Sequence, residues 1–187
     1  MMKHSQRSVL RILTCITALC LTVCALCACE NQTTETGVDI PRGYVAIEAE
    51  NEQYVLYAPG DWIVDTTRGM TSLNTQDEQA SNLNVTAVGM DTNCPDAKTY
   101  FESYSEQFRA SFTDFELSDN GSSVKLGGKD AYRYLFTGKV AGKEYKWMMV
   151  LCEYSSSIYI LTYTSTPDMF DLHYEDVCRV MECFSFR

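Results

Sequence analysis

Two long runs of aromatic and branched residues, Tyr145–Tyr154 and Ile158–Thr164, are separated only by Ser155-Ser156-Ser157. A parallel crossover needs a dozen or more residues, so this connection forces an antiparallel hairpin. The same pattern recurs along the chain. Tyr44–Ile47 and Tyr54–Tyr57 are strand-forming runs, the second closed by the turn Ala58-Pro59-Gly60-Asp61. Trp62–Val64 resumes the sheet, and Met70–Asn74 and Asn82–Val88 follow across the polar loop Thr75–Ser81. Phe115–Ser118, Val124–Leu126 and Ala131–Thr137 read as further strands, with turns expected at Asn120-Gly121, Gly127-Gly128 and Gly138–Gly142.

Only two segments carry helical period. Asp96 offers a side-chain cap, and Ala97, Phe101, Tyr104, Phe108 and Phe112 then recur on one face. Thr166 and Pro167 open the second helix, with Phe170, Tyr174, Val177 and Met181 in a stripe, before a short closing strand at Phe184-Ser185-Phe186. No βαβ unit repeats. Two amphipathic helices must bury their stripes against the sheet, which predicts an α+β domain over 44–187, an antiparallel β-sheet flanked by helices in αβα layers.

The first residues follow a different logic. Lys3, His4, Arg7 and Arg11 precede an uncharged run, Ile12–Ala28, of 17 residues. That is short for a membrane span of about 20 residues and has the anatomy of an export signal. It ends in Leu26-Cys27-Ala28-Cys29, which resembles the bacterial lipoprotein box, where a small residue precedes a cysteine that is acylated before cleavage. The resemblance implies a signal peptide over 1–28 and lipidation at Cys29; Cys27 fits less well because Leu26 before it is bulky. Cleavage there removes 28 of the 187 residues and leaves 159. The net charge moves from −10 to −13 because Lys3, Arg7 and Arg11 depart and no acid does. Residues 29–43 then form the lipidated cysteine and a polar tether without hydrophobic period. Two or more acyl chains anchor a protein without help from its surface, and so acidic a domain is repelled by anionic lipid and disfavours nucleic acid.

The globular part also resembles a known family. Tyr54-Val55-Leu56-Tyr57-Ala58-Pro59-Gly60-Asp61-Trp62 is similar to the opening of PsbP-like proteins, relatives of an extrinsic subunit of the photosynthetic oxygen-evolving complex. Gly127-Gly128-Lys129-Asp130-Ala131-Tyr132, Tyr159–Thr164 and Phe184-Ser185-Phe186 resemble three later strands of that family, in the same order. The resemblance implies a PsbP-like sheet between helices and a fold that mostly serves binding. It transfers no active site, since fold alone does not specify chemistry.

The residues themselves spell out no reaction. His173, beside Asp171 and Glu175, is the one histidine beyond the signal segment and reads as a surface or capping residue. Cys178 and Cys183 lack the further ligands a zinc site needs. Ser155-Ser156-Ser157 reads as a turn rather than a nucleophile, and Gly127-Gly128 leads into a strand rather than the helix a phosphate cradle requires. Asp65, Asp77, Glu78, Asp91 and Asp96 form no calcium-loop pattern and read as a solvated acidic face. No catalytic residue, metal ligand or cofactor is expected.

Cys94, Cys152, Cys178 and Cys183 are an even set, so up to two disulfides can form among three pairings, and buried free thiols are the alternative. The many aromatic residues would suit a protein or glycan partner wherever rings are exposed, although the stripe Tyr132, Tyr134 and Phe136 reads as core. The expectation is therefore a lipid-anchored, non-catalytic binding module on the extracytoplasmic face of the cell membrane. Its partner would be an envelope or extracellular protein. A hydrolase or enzyme inhibitor with a site in loops such as Thr75–Ser81, and a structural envelope spacer, are the alternatives.

Overall fold

The computed structural model describes residues 32–33, 37–48, 53–67, 70–77 and 81–187. The chain divides into Met1–Gln32 and Thr33–Arg187. The signal segment and Cys29 lie outside the described residues, as do 30–31 and 34–36 of the expected tether and 78–80 of the expected loop. The second unit contains the expected globular domain.

Besides the two-residue strand Asp39–Ile40, its strands are β1 (Tyr44–Ile47), β2 (Tyr54–Pro59), β3 (Ile63–Asp65), β4 (Thr71–Asn74), β5 (Asn82–Gly89), β6 (Thr113–Leu126), β7 (Lys129–Val140), β8 (Lys143–Tyr154), β9 (Ser157–Ser165) and β10 (Ser185–Phe186). The helices are α1 (Ala97–Ser111), between β5 and β6, and α2 (Pro167–Cys183), between β9 and β10. A 7-stranded antiparallel sheet runs β3-β4-β5-β9-β8-β7-β6, and a 3-stranded sheet runs β10-β2-β1. Packing begins slightly before the expected start at Tyr44, because Ile40 is already buried and the Asp39 carbonyl accepts from the Cys183 thiol.

Three tight turns join β6 through β9, and each places two residues at positive φ. Gly127 and Gly128 (55° and 75°) join β6 to β7, Ala141 and Gly142 (52° and 81°) join β7 to β8, and Ser155 and Ser156 (48° and 64°) join β8 to β9. Positive φ at both central residues matches the right-handed twist of the flanking strands. The turn expected over Gly138–Gly142 is thus confined to Ala141-Gly142, and Gly138 stays in β7. A Cβ on Gly138 would stand 3.1 Å from the Phe112 Cβ, so its missing side chain admits the end of α1.

Asn120-Gly121 does not turn the chain. β6 is one continuous strand in which Gly121 (φ 95°) sits at a register shift against β7. The positive φ that signals a turn serves equally well in a bulge, and the pairing partner across the strand decides between them. Asp119 secures the bulge, its carboxylate accepting from the Ser122 backbone N–H and hydroxyl.

Alternation along β8 separates two cores. Met148, Val150 and Cys152 join Leu83, Val85, Leu161, Val177 and Val180 under α2. Trp147, Met149 and Leu151 join Ala97, Phe101, Tyr134, Phe136 and Ile160 under α1. The helices therefore cover opposite faces of the large sheet, as the layered α+β reading expects. Asp96 caps α1 by accepting from the Thr99 N–H at 2.8 Å, and Pro167 opens α2 at a position where no N–H is needed.

A candidate binding face

The face of the large sheet under α1 is divided by chemistry. Strand register aligns Asn74, Asn82, Thr164, Trp147 and Phe136 in one row across β4, β5, β9, β8 and β7. The next row holds Ser72, Asn84, Thr162, Met149 and Tyr134. Along both rows the side chains change from amides and hydroxyls to large apolar groups at the border between β9 and β8. Period-2 alternation places all of them on one face.

Helix α1 covers the apolar half. Phe101 lies on Tyr134, Phe108 stacks on Phe136 with ring centroids 5.2 Å apart, and Phe112 stacks on Trp147 at 4.9 Å. Tyr100 and Tyr104 stack on one another at 4.5 Å. Burial, and then the neighbouring Tyr104, pushes the Tyr100 hydroxyl well above the ordinary tyrosine range. Against these rings runs a groove of about 330 Å³, lined also by Trp147, Met149 and Ile160, with Thr86 and Thr162 contributed by the polar strands β5 and β9.

The polar half is internally ordered. The Asn82 amide donates to Ser72 Oγ at 2.8 Å and to Asn74 Oδ1 at 3.0 Å, and the Asn84 amide donates to Asn82 Oδ1 at 3.1 Å. These asparagines did not stand out in the sequence. The signal that could have revealed them is the alternation Asn82-Leu83-Asn84-Val85-Thr86, a strand whose solvent face is amide and hydroxyl without charge.

The residues singled out from sequence lie elsewhere. His173 is only partly exposed and takes its acidic partner from outside its own helix. Its side chain is 18% exposed, and Nε2 stands 3.0 Å from Asp77 Oδ2, joining α2 to the start of the 75–81 segment. Its ring meets Trp62 edge-on with centroids 6.1 Å apart. Asp171 pairs instead with Lys146, at 3.4 Å. No sequence rule links His173 to an acid almost a hundred positions away.

Cys94, Cys152, Cys178 and Cys183 are free thiols. Cys178 and Cys183 both belong to α2, where five positions amount to a rise of about 7.5 Å and a large rotation, beyond disulfide reach. Burial pushes the Cys152 thiol up to about 11, and its Sγ–H donates to the Asp130 carbonyl at 3.4 Å. Burial likewise raises Cys178 and Cys183.

Among the described residues no three His, Cys, Asp or Glu side chains gather around a common point. Asp65 and Asp91 accept from nearby backbone N–H groups, of Thr67 and of Asn93 and Cys94 respectively, and Asp96 caps α1. Glu78 lies outside the described residues. Tyr134 and Phe136 are core, as expected, while Tyr132 is half-buried under Lys98, whose Nζ stands 4.6 Å from the ring centroid.

A larger cavity of about 610 Å³ opens beside the Gly127-Gly128 turn. Its bases are already engaged: Arg179 pairs with Glu182 at 2.9 Å, and Lys129 lies over the Tyr154 ring at 5.5 Å.

No family pattern matches the chain, and no curated protein sequence matches it. Solved structures do. CyanoP, the PsbP of the cyanobacterium Synechocystis, superposes with a TM-score of 0.58 at 12% identity, over 79% of this chain and 94% of its own. LpqN of Mycobacterium tuberculosis, described as involved in cell envelope biogenesis, superposes with a TM-score of 0.53 at 13% identity, over 76% of this chain and 89% of its own. PA94 of Pseudomonas aeruginosa, a protein of unknown function, reaches 0.54 at 13% identity over 74% and 94%. Identities this low speak for the backbone arrangement alone. The two helices on opposite faces of an antiparallel sheet are thus a PsbP-like fold.

Proposed function

We propose that this chain is a lipoprotein, acylated at Cys29 and held on the extracytoplasmic face of the cell membrane, whose domain binds an envelope partner without catalysing a reaction. The observation that carries the binding role is the half-covered sheet face. A ligand site is typically a concavity with apolar walls and a few convergent polar groups, and the groove beside α1, with Thr86 and Thr162 in its lining and the asparagines on the same face, has that composition. The anchor is supported by Leu26-Cys27-Ala28-Cys29 behind an uncharged run. The envelope location is supported by the fold shared with LpqN. No helix among the described residues is long and apolar enough to cross a membrane.

Acid–base chemistry in the loops would be favoured by acids held above their ordinary range. Among the described residues the carboxylates with displaced titration, Asp96, Asp119 and Asp130, are all displaced downward. Hydrogen bonds outweigh burial at each.

Two measurements test the proposal. Mass analysis of the mature N-terminus is expected to find a diacylated or triacylated Cys29, and Cys29→Ala is expected to release the protein from membranes. An unmodified residue 29, or an intact Met1, overturns the anchor. Capture of partners by the membrane-bound protein, with wild type against Asn74→Ala/Asn84→Ala, tests the face; a partner set unchanged by the substitutions overturns it.

A further inference from the structure

We infer that the uncovered half of this face, together with the aromatic wall of α1, binds a neutral saccharide. The inference rests on the binding role proposed above and names the ligand class. The first argument is charge. In the polar segments Asn74–Asn82–Thr164 and Ser72–Asn84–Thr162 every side chain is an amide or a hydroxyl, in a chain that carries 25 acids and 15 bases. An anionic polymer finds no counter-charge in these rows and is repelled by the net −10 of the chain. A polyol finds donors and acceptors matching its own.

The second argument is preorganisation. Asn82 donates to Ser72 and Asn74, and Asn84 donates to Asn82. Each amide is fixed by its neighbour, which lowers the ordering cost of binding. The Asn84 Oδ1 and the Asn74 NH₂ group are left by these bonds as an acceptor and a donor.

The third argument is the border. Thr164 stands opposite Trp147 and Thr162 opposite Met149, and Tyr104, Phe108 and Phe112 rise beside them. A pyranose presents hydroxyls around its rim and apolar C–H faces, so an aromatic wall beside a polar floor accommodates both. The protein alternatives fit less well. An added peptide strand needs an open sheet edge, and these rows lie on a face. A docked apolar helix would bury the Asn84 Oδ1 and the Asn74 NH₂ group, which these internal bonds leave free, at a cost of roughly 1–3 kcal/mol for each group left unsatisfied.

The test uses the full chain in a detergent without a sugar headgroup. Chitotetraose, cellotetraose, maltotetraose and mannotetraose serve as neutral probes, and tetragalacturonate as an anionic one, followed by calorimetry and tryptophan fluorescence. At least one neutral oligomer is expected to bind saturably and to perturb the fluorescence. Asn74→Ala/Asn84→Ala and, separately, Thr162→Val are each expected to weaken it about tenfold or more with the melting temperature preserved. Binding of no neutral oligomer, equal binding of tetragalacturonate, or unchanged affinity in both stably folded variants overturns the inference. The cellular capture keeps the two claims apart. A protein partner lost in the double variant, with no oligosaccharide binding, overturns the saccharide and leaves the binding role standing; an unchanged partner set removes both.

Discussion

Phe101 of α1 lies flat on Tyr134 of β7, ring centroids 3.5 Å apart and planes inclined by 12°. That stack fixes the helix over the apolar half of the sheet face and so sets where the uncovered half begins. Phe101 is almost fully buried. Its replacement by Ala removes a large apolar volume from a packed site and is expected to cost about 3–5 kcal/mol. Urea denaturation checks this; a loss below about 1 kcal/mol would show that α1 is not seated on Tyr134.

Gly127 and Gly142 occupy equivalent turns with unequal surroundings. A Cβ on Gly127 would lie 2.5 Å from the Phe184 carbonyl oxygen, whereas one on Gly142 meets nothing within 4 Å. Both positions have positive φ and share the left-handed cost of about 1–2 kcal/mol. Gly127→Ala is expected to destabilise by at least about 1 kcal/mol more than Gly142→Ala, compared by denaturation midpoints at unchanged m-value.

The His173–Asp77 contact ties α2 to the segment after β4. A double-mutant cycle with His173→Ala and Asp77→Ala is expected to give a favourable coupling, a few tenths to about 1 kcal/mol for a partly exposed pair. Zero coupling would mean the two side chains do not meet in solution.

Asp119, the one partly buried carboxylate of the three held below their ordinary range, contributes acid sensitivity. Burial raises its carboxyl, but hydrogen bonds from Ser122 and Arg133 outweigh that and hold it below the ordinary range. A folded value below the unfolded one contributes stability that is complete above the unfolded value, near 3.9, and is lost as pH falls through the folded value. Asp119→Asn is therefore expected to be less stable than wild type at pH 7, with the gap closing below about pH 4. Thermal melts from pH 7 to pH 2 decide; a constant gap contradicts the assignment.

Thiol accessibility separates the four cysteines. Cys152 and Cys183 are buried, Cys94 and Cys178 half-buried. In the native protein at pH 8, iodoacetamide is expected to modify Cys152 and Cys183 much more slowly than after denaturation, since reaction needs an accessible thiolate. Mass spectrometry without prior reduction is expected to find all four alkylated in denaturant; a missing pair would reveal a disulfide.

Much of the fold was legible locally. The strand runs of β5 and β8, the Asp96 cap, and the Gly127-Gly128 and Ser155-Ser156 turns each depend on a few consecutive residues, and the structure has them where the sequence places them. Asn120-Gly121 misled because a positive-φ glycine suits a turn and a bulge alike, and only β7 across the pair distinguishes them. The partner of His173 is hidden from the sequence for a related reason. It comes from a segment brought beside α2 by the packing of the layers, while the acids adjacent in sequence point elsewhere on the helix.

The order of amino acids by itself determined the elements, their antiparallel connection and the two apolar helix stripes, because backbone period and turn geometry are properties of neighbours along the chain. Only the tertiary structure decided that Asn82, Thr164 and Trp147 stand side by side and that α1 stops short of the asparagines. Strand order sets those neighbours, and it comes from burying both helix stripes at once, an energy no single segment contains.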